Sequence, residues 1–160
     1  MVRVIKHSNI DQNTLQEIVK IKQLSWNYSM EQHLLWIKDN LKDNDYHFLL
    51  FDNEELIAYM NLVEVNVNSN STSIPFLGIG NVCSKYKGRG DGKKLMIEVN
   101  AFIKENSFYG ILFCKNHLVD FYKKFDWKLI QNLYPNDTVF TMMFNYNGDS
   151  SNFVYNDRLF

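Results

Sequence analysis

The stretch that decides the fold is Ile79-Gly80-Asn81-Val82-Cys83-Ser84-Lys85-Tyr86-Lys87-Gly88-Arg89-Gly90-Asp91-Gly92-Lys93-Lys94. It closes an apolar-rich run, Ile74 to Ser84, that is uncharged and contains two glycines. Such a run predicts a strand buried on both faces and approached closely by another group. Behind the stretch, Leu95, Met96, Val99, Phe102 and Ile103 recur at helical spacing. The order is therefore strand, glycine-rich loop, helix. Glycines at the alternate positions 88, 90 and 92 can take the positive φ angles that turn successive backbone N–H groups toward one point. The helix adds the positive end of its dipole. Lys87, Arg89, Lys93 and Lys94 bring four cations into eight residues, with the acidic Asp91 among them. The loop is a seat for a phosphate or pyrophosphate.

Spacing separates the motifs that build such seats. A nucleoside-triphosphate loop needs four residues between its glycines, then Lys and a hydroxyl residue. Here three residues separate Gly88 from Gly92, and Lys94 stands where the hydroxyl belongs. A dinucleotide fingerprint needs Gly at its first, third and sixth positions near the start of a βαβ unit. Gly88 and Gly90 are instead followed by Lys93, past the middle of the chain.

The segment Lys87-Gly88-Arg89-Gly90-Asp91-Gly92 resembles the acyl-CoA loop of the Gcn5-related N-acetyltransferase (GNAT) superfamily: Arg or Gln, two residues, Gly, one residue, then Gly or Ala. Lys87 replaces the Arg or Gln. Val82 to Tyr86 is similar to the family's strand end, and Phe121-Tyr122-Lys123-Lys124-Phe125-Asp126-Trp127 to its Leu-Tyr-x-x-x-Gly-Phe segment, with Asp126 for Gly. The specific motifs lie within residues 80 to 127.

The resemblance implies acetyl transfer from acetyl-CoA directly to a primary amine of a small molecule or peptide, in a ternary complex. Main-chain groups around Gly80, Val82 and Ser84 would pair with the pantetheine arm. Lys87, Gly88, Arg89, Gly90, Asp91, Gly92 and Lys93 would hold the pyrophosphate. Asn116 would hydrogen-bond the arm, and it also suits a cap for the helix expected from His117. Tyr122 is the implied general acid toward the leaving thiolate. Glu64 is the carboxylate placed to act as base or to anchor a cationic amine. Trp26, Tyr28 and Trp36 would wall the acceptor pocket. A stretch around Asn116 is similar to the aminoglycoside-acetylating subgroup. The alternative is a catalytically degenerate acyl-CoA-binding sensor or interaction module, toward which the departures at Lys87, Asp91 and Asp126 point.

The rest of the chain fits this frame. With 160 residues, 46% hydrophobic and 22% charged, it is long enough for one packed domain. A net charge of -1 excludes the basic excess of a dedicated nucleic-acid binder. No apolar stretch reaches membrane-spanning length, and the N-terminus has no secretory block. Two cysteines, Cys83 and Cys114, sit in strand-like runs as small hydrophobes, and a cytoplasmic setting is expected. His7, His33, His47 and His117 are scattered with no ligand spacing, so no metal is expected.

Periodicity predicts strands at Val2 to Lys6, His47 to Phe51, Leu56 to Val65, Ile74 to Ser84, Phe108 to Cys114, Trp127 to Ile130 and Val139 to Tyr146. Helices are expected at 13 to 24, at 30 to 41 behind a Ser29/Gln32 capping box, after the glycine loop, and at His117 to Phe125. Asn66 to Ser73 reads as a polar hairpin loop. The order βααβββαβαββ is an α/β domain over residues 1 to 146, with a mixed, mostly antiparallel sheet of about seven strands. The resemblance implies that the sheet is splayed in the middle and flanked by four helices. Residues 147 to 160 form a tail that packs on the domain or on a partner in a homodimer.

Overall fold

A computed structural model describes residues 1–160. Strand β1 (Val2–Lys6) is followed by helices α1 (Gln12–Ser25) and α2 (Met30–Asn40), then by β2 (Tyr46–Asp52), β3 (Glu55–Ser69) and β4 (Thr72–Ser84). Helix α3 (Asp91–Glu105), β5 (Gly110–Lys115), α4 (Asn116–Lys123), β6 (Lys128–Leu129), β7 (Val139–Phe144) and β8 (Phe153–Val154) complete the chain. The first seven strands and four helices follow the predicted order. The strand order is β1-β2-β3-β4-β5-β7-β6, with β8 on β3. Only β4 and β5 are parallel, and their register covers Leu77–Ile79 against Gly110–Leu112. The fold is the mixed, mostly antiparallel α/β architecture expected of the resemblance.

By contacts the chain divides into two units. One contains residues 1–63, 80–99 and 160, the other residues 64–79 and 100–159. In the first, β1 pairs with β2 from Val2↔Leu50 to Lys6↔Tyr46, and β2 with β3 from Tyr46↔Leu62 to Asp52↔Glu55. Helix α1 begins at Asp11, whose carboxylate accepts from the Thr14 N–H at 2.9 Å. Helix α2 begins with the predicted capping box: the Gln32 N–H donates to Ser29 Oγ at 3.2 Å, and the Ser29 N–H to Gln32 Oε1 at 2.9 Å. Leu15, Ile18, Val19 and Ile21 are buried from α1, and so is Lys22.

In the second unit the core is aromatic. Trp127, 2% exposed, stacks on Phe144 with centroids 5.4 Å apart. Its indole N–H donates to Asn100 Oδ1 at 2.9 Å, and Asn100 Nδ2 donates to the Phe125 carbonyl at 2.8 Å. A Cβ on Gly110 would fall 2.6 Å from the Trp127 ring, so a glycine is required for that ring to pass.

Three expectations are corrected. Asn66 to Ser73 is not a loop: β3 runs to Ser69 and β4 starts at Thr72. Buried Val65 and Val67 alternate with exposed Glu64, Asn66 and Asn68, a half-buried strand whose polar face resembles a loop in composition. The strand expected at Trp127 to Ile130 is paired only at Lys128–Leu129, because the Trp127 N–H closes the end of α4 on the Tyr122 carbonyl at 3.4 Å. The tail carries an unpredicted eighth strand, with Asn68↔Val154 and Ser69↔Phe153 pairs on β3, and Phe153 packs on Phe76 and Tyr146.

Candidate active site

The glycine loop lies in the first unit, between β4 and α3. Gly88 has φ +80° and Gly90 φ +79°, both in the left-handed region, and a Cβ at either would meet nothing within 4 Å. These glycines are needed for their torsions, and the space beside them is open. Helix α3 starts at Asp91, so Gly92 and Lys93 fall in its first turn.

The cations of the loop divide into two pairs. Arg89 donates from Nη2 to Asp52 Oδ2 at 2.7 Å, lies 4.9 Å from the Tyr86 ring centroid and has Nε 3.7 Å from Asp91. That bond holds the Asp52 carboxyl below the usual carboxylate range. Lys94 Nζ donates to Asp91 Oδ1 at 3.3 Å. Asp91, 1% exposed, is buried beneath the loop, and its Oδ2 has no hydrogen-bond donor. Lys87 and Lys93 are exposed and make no ion pair. The acid that interrupts the loop's sequence therefore pairs with two of its neighbours, and Lys87 and Lys93 stay outside those pairs.

Upstream, Gly80 is buried in β4. A Cβ there would lie 2.5 Å from the main-chain carbon of Phe160 and 3.5 Å from Asn61 Nδ2. Asn81, within β4, has φ +53°, and its Nδ2 donates to Asn61 Oδ1 at 2.7 Å. Asn61 is fully buried and its Nδ2 has no acceptor. Val82 and Ser84 are half-buried, and Ser84 Oγ donates to the Tyr86 carbonyl at 3.4 Å.

Tyr122, Asn116 and Glu64 belong to the second unit. Tyr122 on α4 is 6% exposed, beside the rings of Phe121 and Trp127. Burial raises its pKa well above the ordinary phenol value, with Cys114 adding to the rise, so the hydroxyl holds its proton at neutral pH. Asn116 is the first residue of α4. The cap is Lys115 and no side chain caps it, so the capping role expected for Asn116 is not the one it plays. Glu64 is exposed on β3, and its carbonyl accepts from Arg158 Nη2 at 3.0 Å. Asp126, which stands where the family has glycine, takes φ +65°, the conformation for which glycine is favoured.

Both cysteines are buried thiols. Burial pushes Cys83 up to about 12, against the opposing charge of Lys22, and Cys114 up to about 11. Of the acceptor-wall candidates, Trp36 lies 4.1 Å under the Lys22 ammonium, the Trp26 carbonyl accepts from His33 Nε2 at 3.2 Å, and Tyr28 is exposed with its ring edge-on to His33. Lys22 is 2% exposed and desolvation lowers its pKa to about 8. A cleft of about 620 Å³ on the second unit is lined by Asn68, Asn70, Ser151, Asn152, Phe153, Val154 and Asn156, none of them titratable.

Sequence reading missed the first unit's buried polar groups. His7 and His47 are hydrogen-bonded at 2.9 Å, and His47 to Tyr59 at 3.0 Å. The signal was present in the β2–β3 hairpin, where alternation places His47, Tyr59 and Asn61 on one face.

A glycine loop with positive-φ residues, opening α3 directly after β4 in a mixed sheet with β4 and β5 parallel, defines the class: an α/β protein with a candidate anion seat at the end of β4. The sequence model of a family described as the acetyltransferase (GNAT) domain matches residues 6–130, and the chain belongs to that family. No curated protein matches it in sequence. Among solved structures, Escherichia coli ElaA aligns with a TM-score of 0.67 at 20% identity, over 89% of this chain and 97% of that one. The Bacillus subtilis N-acetyltransferase YlbP in complex with coenzyme A gives 0.59 at 20%, over 90% and 96%. An aminoglycoside 6'-N-acetyltransferase complexed with coenzyme A gives 0.68 at 10%, over 92% and 99%. At these identities the likeness establishes the fold.

Proposed function

We propose that this protein is an acetyl-CoA-dependent N-acetyltransferase that moves an acetyl group directly to a primary amine of a small molecule or peptide. The observation that carries the reading is the pair Gly88 and Gly90, both at positive φ, open on the ligand side and opening α3 directly after β4. Those residues fit a pyrophosphate: backbone N–H groups of residues 88 to 93 would hold it, with Lys87 and Lys93 as free counter-charges. The β4–β5 register ends at Ile79, before Gly80, Val82 and Ser84, whose main-chain groups would pair with the pantetheine arm. Asn116 would hydrogen-bond the arm from α4.

The thioester supplies the activated acyl group. Tyr122 would deliver a proton to the departing thiolate. Its burial disfavours ionisation of the phenol, but burial raises thiols too, as Cys83 and Cys114 illustrate at about 12 and about 11. A thiolate released out of water is therefore a stronger base than in solution, where its pKa is near ~8.5. Glu64, exposed at the strand surface, would anchor a cationic amine. An alkyl amine of pKa ~10 is neutral about once in a thousand at pH 7, so deprotonation costs about 4 kcal/mol and requires an acceptor for the proton.

Thermal denaturation with and without acetyl-CoA, followed by free-thiol release across an amine panel, tests the reading. A ligand at a hundred times its Kd stabilises by about 2.7 kcal/mol, a readily measured rise in Tm. Stabilisation with amine-dependent thiol release is expected. The ion pairing of Arg89 and Lys94 within the loop favours one rival, an acyl-CoA-binding module without turnover, which stabilisation alone would identify. No stabilisation by millimolar acyl-CoA would overturn both.

A further inference from the structure

The first unit contains a row of polar side chains that neither its packing nor the proposed cofactor seat uses. It begins at His7, half-buried at the end of β1. His7 Nδ1 and His47 Nε2 share a hydrogen bond of 2.9 Å, and His47 Nδ1 and Tyr59 Oη one of 3.0 Å. His47 and Tyr59 are fully buried. His47 stands opposite Asn61 in the β2–β3 register, and Tyr59 is two residues from Asn61, so the three side chains share a face. Ile57, two residues before Tyr59 on β3, accepts at 2.8 Å from the N–H of Lys85 just past β4, and the unpartnered Asn61 Nδ2 is 3.5 Å from where a Gly80 Cβ would be. The row thus runs from the half-buried His7 to the part of β3 that lies beside the β4 residues assigned by the proposed function to the pantetheine arm.

We propose that His7, His47 and Tyr59 form a proton conduit between the Gly80 end of β4 and solvent, serving deprotonation of the amine acceptor. This rests on the acetyl-transfer reading. A neutral His47 bonded through both nitrogens has two arrangements. In one, Tyr59 O–H donates to Nδ1 and Nε2–H donates to His7. In the other, His7 Nδ1–H donates to Nε2 and Nδ1–H donates to Tyr59. Passage of one proton converts the first into the second. Tyr59 Oη takes a proton from the amine side and passes its own to His47 Nδ1, His47 Nε2 passes its proton to His7 Nδ1, and His7 gives one from Nε2 to water. One proton enters, one leaves, and no bond to carbon changes. Reorientation of the bonds resets the row.

The groups facing His47 and Tyr59 suit conduction rather than storage. Burial, then the neighbouring His7 charge, lowers the His47 pKa to about 3; Asp45 opposes this and Lys22 on α1 adds to it. Burial, with Cys83 and Asp45, raises Tyr59 far above the ordinary phenol value. His33 on α2 is lowered by burial and by Lys22. The inner members are therefore held neutral, and the half-buried His7 is the member nearest to water.

The test uses His47→Gln, Tyr59→Phe and, at the solvent end where folding is least at risk, His7→Gln. Each is assayed for melting, acetyl-CoA Kd, and kcat against pH with an amine acceptor, with and without added imidazole. The expected result is a loss of at least about ten-fold in kcat near pH 7. The loss should shrink as pH approaches the amine's own pKa, be partly rescued by imidazole in His7→Gln, and leave the Kd within about two-fold. Folded variants with the wild-type kcat and pH profile would overturn the conduit while leaving the acetyl-transfer reading intact. A wild-type protein that binds no acetyl-CoA or transfers no acetyl group would remove both.

Discussion

Tyr122 is the residue on which the proposed chemistry turns. It shares its α4 stripe with apolar side chains and is almost fully buried, as a packing residue would be, so its burial does not separate the two roles. Removing the hydroxyl does. Tyr122→Phe keeps the ring packing, so melting should hardly change, while kcat for thiol release should fall about a hundred-fold or more and the acetyl-CoA Kd stay near wild type. Equal turnover would take Tyr122 out of the mechanism. Asp126 yields a stability prediction. An L-residue at φ +65° carries roughly 1–2 kcal/mol of strain, of which glycine's greater flexibility in the unfolded chain cancels part. Asp126→Gly should therefore raise stability by up to about 1 kcal/mol in denaturant unfolding, and a clear loss would show that the carboxylate makes a contact of its own. The sequence identified Asp126 as a departure from the family pattern, but its reason is a torsion, which no composition or spacing reveals.

Among the elements, the loop between β4 and α3 was the most legible, because strand, alternating glycines and helical periodicity agree there. The structure adds that Gly88 and Gly90 are torsional requirements with open space beside them. Gly88→Ala and Gly90→Ala should each lower acetyl-CoA affinity about ten-fold or more by calorimetry, with little change in fold. Unchanged affinity would move the anion seat elsewhere. Gly110 is a glycine of the other kind, required by the Trp127 ring 2.6 Å from its missing Cβ, and Gly110→Ala should cost about 1–3 kcal/mol. Elements were misread where polar composition hid a period of two, as at Asn66 to Asn68. They were misread also where pairing depended on distant chain: β8 meets β3, and the Asn66 N–H finds its acceptor on Asp157 at 2.7 Å. Neither partner is local, so neither could be read from the strand itself. The histidines were read as scattered for the same reason, since His7 and His47 meet only through the β1–β2 register.

At the scale of the whole molecule, the net charge of -1 conceals a division of labour. Asp52 and Asp91 neutralise part of the basic loop, and the cations left over are Lys87 and Lys93. Stability should depend on pH through the buried histidine. The folded pKa of His47, about 3, lies below its unfolded value of ~6.5, so the unfolded chain takes up a proton that the native state refuses. That contribution is intact above pH ~6.5 and is lost as pH falls toward 3, at up to about 1.4 kcal/mol per pH unit. Melting should therefore drop between pH 6.5 and 4, and less steeply in His47→Gln; parallel slopes would place the acid sensitivity in other groups.

The most direct measurement of the central claim is the fate of an isotopically labelled acetyl group when the protein, acetyl-CoA and a panel of amines are incubated and products are resolved by mass. The account predicts label on the amine nitrogen, one N-acetylated product for each thiol released, and no acetylated protein on the pathway. Bound acetyl-CoA with no label reaching any amine, or label that passes through a covalent acyl-protein, would contradict it.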